Sequence, residues 1–73
     1  MTFDEYWTFD AGVGDPITFR VKGEYDQEDN WVDLESVQAN GLELYGFLAP
    51  RILEACEREL RARFTGRLME IRR

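Results

Sequence analysis

The stretch WVDLESVQANGLEL, Trp31–Leu44, decides the fold. In an extended chain Val32 and Leu34 point to one face, while Val37 and Ala39 have the opposite parity. A strand from Trp31 to about Ala39 therefore needs either a bulge near Glu35–Ser36 or two partly covered faces. Asn40-Gly41 follows, the pair best suited to a two-residue turn, because both residues tolerate positive φ. Leu42 and Leu44 then run briefly back along the same sheet.

The same period of two appears upstream. Phe3, Trp7 and Phe9 alternate with Asp4, Tyr6 and Thr8, which predicts a half-buried strand. AGVGDP (11–16) is turn chemistry, and Ile17, Phe19 and Val21 alternate with Thr18, Arg20 and Lys22 beyond it. These two strands close a hairpin. The acidic stretch GEYDQEDNW (23–31) links the second strand to the third.

Downstream the period changes to that of a helix. Pro50 suits a first helical position, where its missing N–H costs nothing. At about 100° per residue, Ile52, Leu53, Cys56, Leu60 and Phe64 fall within about 120°, an amphipathic stripe. Glu54–Arg58, Glu57–Arg61 and Glu59–Arg63 are spaced as i,i+4 ion pairs. Arg67 would sit in the middle of the apolar stripe, and Gly66 suits the position just past a helix end, so the helix is expected over about 50–65. Leu68, Met69 and Ile71 make a short apolar tail (66–73), either one more helical turn or an edge strand. The expected fold is one α+β domain over 1–73. An antiparallel sheet of three to four strands (2–45) carries one C-terminal amphipathic helix on one face.

Charge divides the chain at the same place. Residues 1–45 hold eleven carboxylates against Arg20 and Lys22, a net of −9. Residues 46–73 hold seven arginines against four glutamates, a net of +3. Nine of the ten aromatic residues precede residue 48, and such a content argues against disorder. Seventy-three residues bury only about 60% of their unfolded surface, so the domain is small enough to be marginal. A lone cysteine, Cys56, cannot make an internal disulfide and fits a reducing compartment. No apolar run approaches the roughly 20 residues of a membrane span, and MTFDEYW is acidic where a signal peptide is basic. A cytoplasmic protein without a membrane role is expected.

Catalysis finds little support. The chain has no histidine, no phosphate-cradling glycine loop that opens a helix, and no nucleophile elbow. Cys56 lies inside the apolar stripe and reads as a small core residue. With Asp26 as its first position, a calcium loop would need glycine at Trp31 and glutamate at Val37, so that pattern fails. No cofactor is expected. A net of −9 on the sheet half repels phosphate, which argues against direct nucleic-acid binding.

Two readings of the acidic stretch remain. It is either the solvated tip of a hairpin, which discourages edge pairing, or part of a binding face. For the second, Tyr6, Tyr25, Asp26, Glu28, Asp29, Trp31 and Asp33 are the candidate residues. The sheet has more aromatics than one helix-facing side can absorb, and aromatics among carboxylates suit a basic protein surface.

The segment LESVQANGLELYGFLAPRILEACERELRARF (34–64) resembles small, functionally uncharacterised proteins encoded by bacteriophages. Those pair a strand, an Asn-Gly turn and a short apolar strand with an acid-rich C-terminal helix. Val37, Asn40, Gly41, Leu42, Leu44, Leu48, Ile52, Glu54, Glu57 and Glu59 carry the resemblance, over less than half the chain. The arginine-rich helix departs from that pattern. The resemblance supplies no catalytic residues. It implies a binder that inhibits or redirects host nucleic-acid-handling or defence proteins. The expected function is a non-enzymatic acidic protein-binding module whose partner has a basic surface. The alternative is an assembly subunit that forms a homodimer or larger oligomer through its surplus aromatics.

Overall fold

A computed structural model describes the backbone of residues 1–71 and the side chains of residues 1–67. Four strands, β1 (Thr2–Phe9), β2 (Ile17–Asp26), β3 (Trp31–Ala39) and β4 (Leu42–Glu43), precede one helix, α1 (Pro50–Ile71). The sheet is antiparallel throughout, in the order β1-β2-β3-β4. This is the expected α+β architecture. No helix among the described residues is long and apolar enough to cross a membrane.

The parity conflict in β3 is resolved by a bulge. Lys22 pairs with Ser36 and Gly23 with Leu34, which leaves Glu35 as the extra residue. Val32, Leu34 and Val37 are therefore all buried on one face despite their opposite parities. The bulge brings the strands together closely. A Cβ on Gly23 would lie 2.1 Å from the carbonyl oxygen of Asp33, so only glycine fits without a backbone shift. At the other end of β3, Asn40 (φ 53°) and Gly41 (φ 78°) form the turn into β4 as their sequence predicts.

Phe3, Trp7, Phe19, Val21, Tyr25, Val32, Leu34 and Val37 face Cys56, Leu60 and Phe64 of α1 in a single core. Phe64 fills one end, with ring centroids 5.2 Å from Phe3 and 4.9 Å from Tyr25. Burial pushes the Cys56 thiol up to about 12, so it stays protonated and inert at neutral pH.

Two helix expectations need correction. The helix does not end near residue 65 but continues to Ile71, while Arg72 and Arg73 lie outside the described residues. Gly66 keeps ordinary helical φ in open space, where glycine costs only about 1 kcal/mol. Arg67 avoids the cost of its apolar position by pairing with Glu5, the one carboxylate on the helix-facing side of β1. Its guanidinium also lies 5.5 Å from the Phe64 ring centroid. Of the three predicted i,i+4 pairs, only Glu59–Arg63 comes within ion-pair distance, at 3.9 Å. The arginines are spent on the sheet instead. Arg63 donates to the Tyr6 carbonyl at 2.9 Å, and Arg61 lies over Trp31.

Candidate protein-binding site

The acidic stretch is a tied-down turn. Asp26 ends β2 and its Oδ1 accepts the backbone N–H of Glu28 at 2.9 Å and of Asp29 at 3.4 Å. That is the self-capping turn for which aspartate is suited. Asn30 adopts positive φ (50°), which reverses the chain into β3. Its Oδ1 accepts the Tyr25 hydroxyl at 2.7 Å and the Thr65 hydroxyl at 3.1 Å. One side chain thus ties the loop to both the core and the helix.

Beside this turn lies an open depression of about 560 Å³, lined by Met1, Glu24, Tyr25, Asp26, Gln27, Glu28, Trp31 and Asp33. Pairing explains the grouping. Thr2, Glu24 and Asp33 form one cross-strand row on the face away from the helix, and Asp26 and Trp31 form the next. Glu24, Asp26, Glu28 and Asp33 supply four carboxylates. The N-terminal amine lines it too, donating to the Tyr25 carbonyl at 3.0 Å and standing 3.9 Å from Glu24. Trp31 is 55% exposed, and the Arg61 guanidinium lies 5.8 Å from its ring centroid.

Four of the sequence candidates, Asp26, Glu28, Trp31 and Asp33, therefore meet at one place. Three do not behave as expected. Tyr25 is 2% exposed, a core residue whose ring packs on Phe64 and only backs the depression. Asp29 belongs to the turn but not to the lining. Tyr6 is 65% exposed but pairs with Arg20, six residues along β2 from Asp26, roughly 20 Å away at ~3.3 Å per residue. Its neighbourhood is also neutral, because Arg20 grips Asp4 through two hydrogen bonds of 3.0 and 2.6 Å. The Arg20 hydrogen bond holds the Asp4 carboxyl below its usual range.

Glu24, the Met1 amine and Arg61 are the site residues that sequence reasoning missed. Glu24 had a signal, since it shares the parity of Asp26 along β2. The other two depend on the tertiary fold. Among the described residues, no group of three His, Cys, Asp or Glu side chains converges to hold a metal ion. Compared with protein-family models, curated proteins and solved structures, the chain matches none.

Proposed function

We propose that this chain is a non-enzymatic binding module that takes a basic segment of another protein against Trp31. The observation that carries the reading is a half-exposed indole beside a depression lined by four carboxylates, with the Arg61 guanidinium 5.8 Å from its ring centroid. A desolvated aromatic anchor supplies residence time, while surrounding carboxylates steer a cationic partner and select against anionic ones. A lysine or arginine entering the depression meets carboxylates on the rim and an indole suited to cation–π contact. The resemblance to phage proteins favours a host nucleic-acid-handling protein as the partner, since such proteins present basic grooves for phosphate. Binding there would act by occupancy, as an inhibitor or modulator.

Fluorescence gives a direct test. Trp7 is buried and Trp31 is exposed, so a change in emission on adding a basic peptide reports Trp31. Titration with an arginine-rich peptide should shift the emission saturably, and raised salt should weaken the response. An acidic peptide of the same length should do nothing. A Trp31→Ala protein that stays folded by circular dichroism and holds the basic peptide as tightly as wild type would remove the reading.

A further inference from the structure

We propose that the free margin of β1 is a pairing surface for a second copy of this chain, with Tyr6 on the two-fold axis. Met1 and Tyr25 exchange both backbone hydrogen bonds, at 2.7 and 3.0 Å. In an antiparallel ladder this alternates, so Phe3, Glu5, Trp7 and Phe9 turn their backbone groups to β2. Thr2, Asp4, Tyr6 and Thr8 turn theirs outward. Among the described residues, the one side chain that hydrogen-bonds this margin is Arg63, on the Tyr6 carbonyl. The strand contains no proline and no bulge, the usual devices that blunt an edge.

Charge selects both the occupant and its register. In an antiparallel self-pairing, outward-facing residues must meet outward-facing residues, so the axis passes through a residue of β1. An axis at Asp4 sets Asp4 against Asp4, and one at Glu5 sets Glu5 against Glu5. An axis at Trp7 leaves only a five-residue overlap and brings Asp4 towards Asp10 of the second copy. Each of these places like charges together. An axis at Tyr6 sets Tyr6 against Tyr6, Asp4 against Thr8, Glu5 against Trp7 and Phe3 against Phe9. No like charges meet.

This register also re-employs the one group now on the margin. The Tyr6 carbonyl accepts the Tyr6 N–H of the second copy, which releases Arg63 beside Glu5 of that copy on the helix side of the sheet. Glu5 would then lie between Arg67 of its own chain and Arg63 of the other. The result is one continuous sheet built from two four-stranded halves, with both helices on one face. No residue of the Phe3–Phe9 overlap lines the Trp31 depression.

Sedimentation velocity across a range of concentrations tests this. The expected outcome is a concentration-dependent doubling of the 8.6 kDa mass, abolished in Tyr6→Pro. Proline there removes an outward N–H and no bond to β2, so the monomer should fold. Should Tyr6→Pro unfold, Tyr6→Cys decides. Under mild oxidation it should cross-link to a dimer much faster than Thr8→Cys, whose counterpart in this register is Asp4. A wild-type chain that is monomeric at every concentration overturns the proposal. So does a dimer that survives in folded Tyr6→Pro, or equal cross-linking of the two cysteine variants. A monomer that instead takes an extended segment of another protein along β1 also overturns it.

Discussion

The two margins of the sheet are finished in opposite ways. On the β3 side, the bulge at Glu35 breaks the run of outward backbone groups, and β4 covers the remainder beyond it. The Glu43 carboxylate completes that margin by accepting the Val37 N–H at 2.9 Å, the Tyr45 N–H at 3.2 Å and the Ser36 hydroxyl. A side chain here imitates the next strand. On the β1 side the backbone runs straight, and its one hydrogen-bonding cap is a long arginine from the helix. The Val37–Ala39 part of the β3 margin is closed by its own neighbours in sequence. Among the described residues, the β1 margin is hydrogen-bonded by one side chain, 57 positions away in sequence. Edge protection made from local sequence is permanent, and edge protection borrowed from another element is reversible.

The largest effect should come from the residue on which both margins depend. Leu60 is fully buried at the middle of the helix stripe, so Leu60→Ala leaves a cavity and should cost roughly 2–5 kcal/mol. That is a large share of the stability of so small a domain. Native-state hydrogen exchange should show β1 and β3 losing protection together. If β3 keeps its protection while β1 loses it, the margins belong to separate cooperative units.

Gly23→Ala attacks the β3 margin alone. The added Cβ meets backbone, not a flexible side-chain end, so the bulge must open or the register must slip. A loss of about 1–3 kcal/mol is expected from the forced backbone shift. Urea denaturation measures it, and an unchanged midpoint would mean that the bulge does not need glycine.

Those two positions show what the sequence made legible. The helix stripe with Leu60 at its centre, the hairpins, the Asn-Gly turn and the bulge in β3 follow from local periodicity, because each is a conflict or agreement within about ten residues. Gly23 carries its reason on the opposite strand, so in sequence it looks only like a weak spot in β2. Arg67 misled for the same cause. An arginine in an apolar stripe argues for a helix end unless Glu5, far away in sequence, is known to face it. The core position of Tyr25 is legible in the strand. The residue continues the parity of Phe19 and Val21 through Gly23, which puts it on the core face of β2. The depression was half legible. Parity groups Asp26 with Glu24 and Asp33 with Trp31, but only the hairpin register brings the two pairs together.

A smaller effect should follow at the start of β3. Asn30→Gly keeps the positive φ but removes the acceptor shared by Tyr25 and Thr65. The Tyr25 hydroxyl then loses its partner beside the core, a cost of about 1–2 kcal/mol. Asn30→Asp, which keeps an acceptor oxygen, should recover most of the loss in the same urea measurement. If Asn30→Gly melts like wild type, the tie is ornamental and the turn is held by Asp26 alone.

The smallest effect separates the margins by pH. The Ser36 hydroxyl, followed by the Val37 and Tyr45 N–H groups, holds the Glu43 carboxyl below its usual 4.5. A carboxyl lowered in the folded state contributes stability that is complete above the unfolded value and lost as pH falls through the folded one. The β3 cap should therefore weaken below about pH 4.5, whereas the acceptor of the β1 cap is a backbone carbonyl, which does not titrate. Glu57 pulls the other way. Burial raises its carboxyl, opposed by Arg61 and reinforced by Glu54 and Asp33, so the stability tied to its protonated form is present below 4.5 and lost as pH rises above it. Acidification from neutrality should first stabilise slightly through Glu57 and then destabilise through Glu43 and Asp4. Thermal melts of Glu43→Gln should keep the first limb and flatten the second, while Arg63→Met should leave both limbs as they are. If Arg63→Met changes the acid limb as much as Glu43→Gln does, the two margins are coupled, and the β1 cap is not the independent, displaceable contact that self-pairing requires.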